Sequence, residues 1–176
     1  MRAFVAIELP DGLAESLEGV QEGLPGRHVA PGNLHLTLAF LGDVFEGQVW
    51  ALAERLAELR LKAPVLRVTG LDMFGGKRPN LCFASVGKDQ ALEAVRDTVQ
   101  RTCREIGIDL RRERFRPHVT LSRFGRELGP REEERLAAQL GLVHIPEVPA
   151  ERFAIYRSDL RPEGVIYTPV AEFEFD

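Results

Sequence analysis

The sequence of 176 residues contains two cysteines, one tryptophan and four histidines. Two cysteines are too few for a disulfide framework, and the apolar settings of Cys82 and Cys103 predict buried free thiols. No Cys and His spacing matches a zinc site, and the sequence contains no H-E-x-x-H motif. The sequence therefore indicates neither a metal nor another cofactor.

Long hydrophobic runs are also absent. No apolar stretch approaches the roughly 20 residues that a membrane-spanning helix requires. The apolar start of the chain is short and lacks the small-residue cleavage site of a signal peptide. These absences favour a cytoplasmic protein without membrane association. The length is suited to one domain, or to two small lobes that share a core.

Positive charge is not in excess over the whole chain, but it is concentrated locally. The net charge of −4 argues against indiscriminate binding to duplex nucleic acid. Arginines nevertheless cluster on both sides of His118, and arginine forks suit bidentate contacts with phosphate. A solvated loop is the alternative, but the group favours an anionic substrate. The cluster comprises Arg111, Arg112, Arg114, Arg116, Arg123 and Arg126.

The most informative feature is the tetrapeptide His-x-Thr-Leu, which occurs at 35–38 and again at 118–121. Each copy begins an alternating apolar stretch that is typical of a strand, and a strand places residues i and i+2 on one face. His35 would therefore lie beside Thr37, and His118 beside Thr120. One copy alone would be weak, because threonine is a favoured strand residue. Two copies in matching contexts favour a functional pair.

Two histidines and two threonines are sufficient for phosphodiester chemistry. One imidazole can accept a proton from the attacking water while the other protonates the leaving oxygen, and histidine titrates in the required range. The threonine hydroxyls can donate to the nonbridging oxygens. Without a metal, a strained cyclic phosphate is the more credible substrate. His28 and His144 lack a threonine partner, and we interpret them as loop or edge residues.

The chain shows the same pattern twice. Apolar periodicities and turn residues predict strands at 2–9, 34–41, 64–74, 81–86, 118–124, 151–157 and 164–175, and helices at 12–22, 46–61, 89–106 and 130–140. The predicted copies cover about 1–75 and 80–160, followed by a C-terminal strand at 164–175. An approximate twofold axis would bring both histidine strands to one groove. Hairpin-like turns at 75–80 and 161–164 favour antiparallel sheets.

Residues 33–42 and 116–123 resemble the two signatures of the two-histidine phosphoesterase superfamily. More closely, the chain is similar to the bacterial and archaeal RNA 2′,3′-cyclic phosphodiesterases, historically called 2′-5′ RNA ligases. Residues 2–7 and 156–167 also resemble that family, so the similarity spans essentially the whole chain. The resemblance implies an α+β fold with two pseudo-symmetric lobes of mainly antiparallel sheet, and with outer helices, around a central groove.

The resemblance also implies an activity and roles for residues. The activity would be metal-independent hydrolysis of RNA 2′,3′-cyclic phosphate ends to 2′-phosphates, with possible reverse 2′-5′ ligation. His35 would be the proton donor and His118 the proton acceptor, although near-twofold symmetry leaves these roles interchangeable from the sequence alone. Thr37 and Thr120 would bind the phosphate.

Two further residues follow from the family pattern. Phe40 and Arg123 stand five residues after the two histidines and would hold the terminal base by stacking and cation–π contact. Strict alternation would point both away from the histidines, so a bend or strand end must turn them back. The tryptophan that relatives often carry before the first motif is absent, and His28 or a neighbour stands there.

Two other functions stay open. The chain could be a non-catalytic module that binds RNA ends, or a cyclic phosphodiesterase for a small nucleotide such as ADP-ribose 1″,2″-cyclic phosphate. The natural RNA and its base preference are not specified by the sequence. No heptad pattern suggests an obligate assembly, and we expect a monomer.

Overall fold

A computed structural model describes residues 1–140 and 144–176. In chain order the elements are β1 (Arg2–Glu8), α1 (Asp11–Gln21), β2 (Arg27–His28), β3 (His35–Asp43), α2 (Glu46–Ala57), β4 (Val65–Leu66), β5 (Val68–Phe74), β6 (Leu81–Val86), α3 (Gln90–Glu105), β7 (His118–Arg123), α4 (Pro130–Leu140), β8 (Val148–Pro149), β9 (Arg152–Arg161) and β10 (Gly164–Glu174). Within these described residues, no helix is both long and apolar enough to cross a lipid bilayer.

The strands form two four-stranded sheets and one short pair. The first sheet has the order β10-β9-β1-β3, the second has the order β2-β7-β6-β5, and β4 pairs with β8. Every pairing is antiparallel. The predicted α+β class with antiparallel sheets is therefore confirmed.

Both sheets combine strands from the two ends of the chain. Strand β9 pairs with β1, whereas β5 pairs with β6. Helix α1 packs on β7, and helix α3 packs on β3. The two halves of the sequence therefore interlock. The triplets β9-β1-β3 and β5-β6-β7 have the order that an internal duplication would produce, and the duplication at about 1–75 and 80–160 stays a prediction.

Several short strands and element ends differ from the sequence prediction. Strands β2 and β8 were not predicted, because two residues are too few for an alternating pattern to be recognised. The predicted strand 64–74 is divided into β4 and β5, and the predicted strand 151–157 continues to Arg161 as β9. Helix α2 ends at Ala57 instead of residue 61. The backbone of Leu61 and Ala63 hydrogen-bonds to the C-terminal Asp176, so tertiary contacts replace the last predicted helical turn. The predicted hairpin turns at 75–80 and 161–164 are confirmed.

Helix α3 illustrates how the core positions the sheets. Asp89 caps its N-terminus by accepting a hydrogen bond from the Leu92 amide at 2.9 Å. Its apolar face is fully buried and packs on β3 of the first sheet. That face consists of Leu92, Val95, Val99 and Cys103. Cys103 and Cys82 are buried free thiols, as predicted, and burial raises their pKa values to about 12 and about 11.

Candidate active site

The structure brings the two His-x-Thr motifs together. His35 and Thr37 lie on β3 of the first sheet, while His118 and Thr120 lie on β7 of the second, and these two strands contact each other. The positive charge of His118 contributes to lowering the pKa of His35, so the two imidazoles are within electrostatic range. All four predicted residues are half-buried.

The two imidazoles are oriented in the same way. Nδ1 of His35 lies 2.7 Å from the carbonyl oxygen of Asn33, and Nδ1 of His118 lies 2.7 Å from that of Arg116. A carbonyl oxygen only accepts hydrogen bonds, so Nδ1 carries the proton in both rings. Nε2 is therefore the nitrogen that can take up or release a proton in each case.

Both histidines favour the neutral form in the free protein. Burial is the main cause that lowers the pKa of His35, followed by the charges of His118 and Arg123, against the hydrogen bond to Asn33. Burial also lowers the pKa of His118, together with the charges of Arg116 and Arg123 and against the hydrogen bond to the Arg116 carbonyl. A bound anion would have the opposite effect and favour protonation.

Aromatic rings hold each imidazole in place. The His35 ring lies 4.8 Å from the ring of Phe4 and meets Tyr167 edge-on at 5.3 Å, measured between centroids. His118 contacts two phenylalanine rings at 5.2 Å each. Those rings are Phe74 and Phe83. Such packing fixes the orientation of both side chains, and none of these aromatic residues was predicted as part of the site.

A β-bulge turns Phe40 back onto the face of His35. Thr37 is opposite Ala6 and Ala39 is opposite Val5, so Leu38 has no partner of its own on β1. After this extra residue, Phe40 is opposite Phe4. Phe4 and Ala6 share one face of β1, and Phe40 therefore shares the face of Thr37. Phe40 is 69% exposed, so its ring is available to a ligand.

A second bulge does the same for Arg123. Thr120 is opposite Phe83 and Ser122 is opposite Cys82, which leaves Leu121 as the extra residue of β7. Arg123 is then opposite Leu81, on the face of Thr120. The bend that was expected between each histidine and the residue five positions later is thus a β-bulge. Its extra residue is the leucine that ends each His-x-Thr-Leu motif. The charge of Arg123 lowers the pKa values of both histidines, which places Arg123 near both imidazoles.

Buried glutamines bind the bulge carbonyls, and the sequence analysis missed them. Nε2 of Gln100 on α3 donates to the Leu38 carbonyl at 3.1 Å, and Nε2 of Gln21 on α1 donates to the Leu121 carbonyl at 2.8 Å. The two glutamines are 8% and 4% exposed. A sequence signal does exist for Gln21, because it follows the buried Leu17 by four positions on the apolar face of α1.

The arginine cluster around His118 separates in the structure. The Arg116 guanidinium contacts the Asp72 carboxylate at 2.8 Å and lies over the rings that flank His118. Arg126 instead pairs with Glu132 on α4 at 2.8 Å. Only Arg123 of the cluster is on the face shared by His118 and Thr120 within β7. The other three, which are Arg111, Arg112 and Arg114, are exposed in the segment before β7.

The other two histidines lie outside this arrangement. His28 is on the edge strand β2, and its Nε2 lies 2.8 Å from the Leu24 carbonyl oxygen. His144 is exposed and belongs to no strand or helix. The prediction that both are loop or edge residues is confirmed. Across the described part of the chain, no group of three or more His, Cys, Asp or Glu side chains is arranged to hold a metal ion.

The geometry agrees with a known family. The model of the 2′-5′ RNA ligase superfamily matches residues 9–161. The chain belongs to this superfamily. The predicted family is thereby confirmed.

Curated relatives and solved structures of the superfamily cover nearly the whole chain. An RNA 2′,3′-cyclic phosphodiesterase of Thermus thermophilus is 34% identical over 98% of this chain and 89% of its own length. The enzyme of the same name from Thermotoga maritima is 30% identical, with 100% and 96% covered. A Thermus thermophilus crystal structure aligns with a TM-score of 0.81 at 29% identity, covering 99% of this chain and 98% of the other. LigT of E. coli complexed with 3′-AMP aligns with a TM-score of 0.73 at 26% identity, covering 99% and 96%.

Proposed function

We propose that this chain hydrolyses RNA ends that carry a 2′,3′-cyclic phosphate to 2′-phosphomonoesters, with one histidine as general base, the other as general acid, and without a metal. The observation that carries this proposal is the pairing of the motifs. His35 and His118 lie on the contacting strands β3 and β7, Nδ1 of each lies 2.7 Å from a carbonyl oxygen, and a threonine follows each histidine on the same face. The curated relatives confirm the enzyme class, since they are RNA 2′,3′-cyclic phosphodiesterases.

The reaction requires one base and one acid on opposite sides of phosphorus. Nε2 of neutral His118 takes a proton from the attacking water, and the water oxygen bonds to phosphorus. The bond from phosphorus to the 3′ oxygen breaks, and protonated His35 gives that oxygen its proton through Nε2. The products are a 2′-phosphate and a free 3′ hydroxyl.

Local charges support this assignment of roles. The Arg116 guanidinium lies beside His118 and lowers its pKa, which favours the neutral base. His35 also has a lowered pKa, and Arg116 is not among its causes. The anionic cyclic phosphate would raise the pKa of His35 on binding and supply the protonated acid.

The remaining site residues bind substrate in this proposal. The hydroxyls of Thr37 and Thr120 donate to nonbridging phosphate oxygens, where charge develops. Phe40 and Arg123 hold the terminal base by stacking and cation–π contact, since both bulges place them on the faces of the catalytic pairs. One chain supplies all six residues, which supports action as a monomer. Reverse 2′-5′ ligation would use the same proton transfers in the opposite order.

The deciding experiment is an incubation with an oligoribonucleotide that ends in a 2′,3′-cyclic phosphate, with EDTA present. We expect turnover to a 2′-phosphate. A 3′-phosphate product would contradict the assigned leaving oxygen, and loss of activity in EDTA would contradict metal independence. Tight binding without turnover would indicate a binding module. Turnover of small cyclic nucleotides alone would indicate a different substrate class.

Replacement of either histidine tests the proton transfers directly. We expect His35→Ala and His118→Ala each to lower kcat by about 10²- to 10⁴-fold, because each removes one proton carrier. His144→Ala is the matched control, since that exposed histidine lies outside the site and should retain wild-type turnover. Wild-type turnover in either active-site variant would refute the mechanism.

A further inference from the structure

Two arginines are directly opposite each other at the rim of the site. Arg27 on β2 is paired with Arg123 on β7, and both side chains are exposed. Like charges opposite one another on antiparallel strands are destabilising. Within residues 1–140 and 144–176, neither arginine forms an ion pair with a carboxylate, whereas Arg116 and Arg126 each do. Such an uncompensated pair is suited to an anionic ligand.

Backbone contacts fix the position of Arg27. The preceding Gly26 has a φ of +86°, and a Cβ there would lie 2.6 Å from the Arg123 carbonyl oxygen. Glycine alone therefore allows β2 to approach β7 this closely. Nη2 of Arg27 donates to the Glu163 carbonyl at 3.2 Å, at the turn between β9 and β10. The side chain thus reaches from the second sheet to the first and is held before any ligand binds.

We propose that Arg27 binds the phosphodiester that joins the terminal nucleotide of the substrate to the preceding nucleotide. This inference rests on the proposed function. Arg123 lies near both histidines, which would flank the reacting phosphate. Arg27 is opposite Arg123 on the neighbouring strand β2, at a spacing of about 4.8 Å between backbones. In this proposal, the phosphodiester on the 5′ side of the terminal nucleotide lies beside Arg27. A cyclic mononucleotide has no phosphate there, so Arg27 makes the enzyme prefer RNA chains.

The test compares two substrates with Arg27→Gln. One is a mononucleotide 2′,3′-cyclic phosphate, and the other is a dinucleotide that ends in the same group. We expect kcat/KM for the dinucleotide to fall about 10- to 100-fold, mainly through KM, because a charge-assisted hydrogen bond is lost. The value for the mononucleotide should stay unchanged. The slope of log KM against log salt concentration for the dinucleotide should decrease by about 0.7, as for one lost phosphate contact.

Two further variants separate charge from structure. Arg27→Lys keeps the positive charge and should restore part of the dinucleotide preference. Arg101→Gln removes an exposed arginine from α3 and should leave kcat/KM for both substrates unchanged. The proposal would be overturned if Arg27→Gln lowered kcat/KM equally for both substrates, or if it left kcat/KM for the dinucleotide unchanged.

Failure of the proposed function would give a different result. In that case the wild-type chain would hydrolyse neither cyclic phosphate. The subsite is then measured without turnover, by the affinity for a dinucleotide that ends in a 2′-phosphate. Weaker binding by Arg27→Gln than by the wild type supports the subsite, and equal binding refutes it.

Discussion

Burial and neighbouring positive charges together set the pH range in which the two histidines can work. Burial is the main cause that lowers both pKa values, and the guanidinium of Arg123 lowers both further. A positive neighbour disfavours the protonated imidazole, so its removal must raise the pKa. The free enzyme needs one protonated and one neutral histidine. Its kcat/KM should therefore be highest below about pH 6.5, the ordinary pKa of histidine.

Replacement of Arg123 by glutamine tests this electrostatic coupling. We expect Arg123→Gln to move both limbs of the bell-shaped profile of kcat/KM to higher pH, whatever its effect on the maximal rate. The check is the pH dependence of kcat/KM on a cyclic mononucleotide, with Arg101→Gln as the control for loss of one surface charge. An unshifted profile in Arg123→Gln would contradict the coupling.

At the scale of secondary-structure elements, the bulges in β3 and β7 depend on helices that belong to the other end of the chain. The amide of Gln100 satisfies the Leu38 carbonyl, which the bulge removes from the strand ladder. We expect Gln100→Leu to lower the free energy of unfolding by about 1–3 kcal/mol, because a buried acceptor loses its donor. Urea denaturation measures this change. Gln90→Leu, at an exposed position of the same helix, should cost less than about 0.5 kcal/mol. Equal stability of the two variants would contradict this role.

The same elements show what could be read from the sequence. Alternation located β3 and β7 and placed each histidine beside its threonine, because a period of two is a direct property of a strand. The bulges were not located, since Leu38 and Leu121 are buried leucines that fit any apolar pattern. A bend in each strand was expected only because the family pattern assigns Phe40 and Arg123 to the substrate, whereas strict alternation would point both away from the histidines. The glutamines that bind the Leu38 and Leu121 carbonyls lie on helices from the opposite half of the chain. Such contacts depend on tertiary structure, and no local sequence pattern predicts them.

For the whole molecule, the exchange of strands between the two ends of the chain means that neither half has a complete sheet. A fragment of residues 1–77 would keep β1 and β3 without β9, and would keep β5 without β6. A fragment of residues 78–176 would keep β9 without β1, and would keep β6 without β5. We expect each fragment alone to be unfolded, because the unpaired strand edges and the apolar faces of β1 and β6 would be exposed to water.

Mixing the two fragments should restore the fold and the activity. The break lies in the exposed hairpin turn between β5 and β6, where few contacts are lost. Circular dichroism would follow the fold, and hydrolysis of a cyclic phosphate would follow the site, since His35 and His118 come from different fragments. A mixture in which the second fragment carries His118→Ala serves as the control and should refold without activity. Cooperative unfolding of either fragment by itself would show that the interlocked sheets are not required for folding.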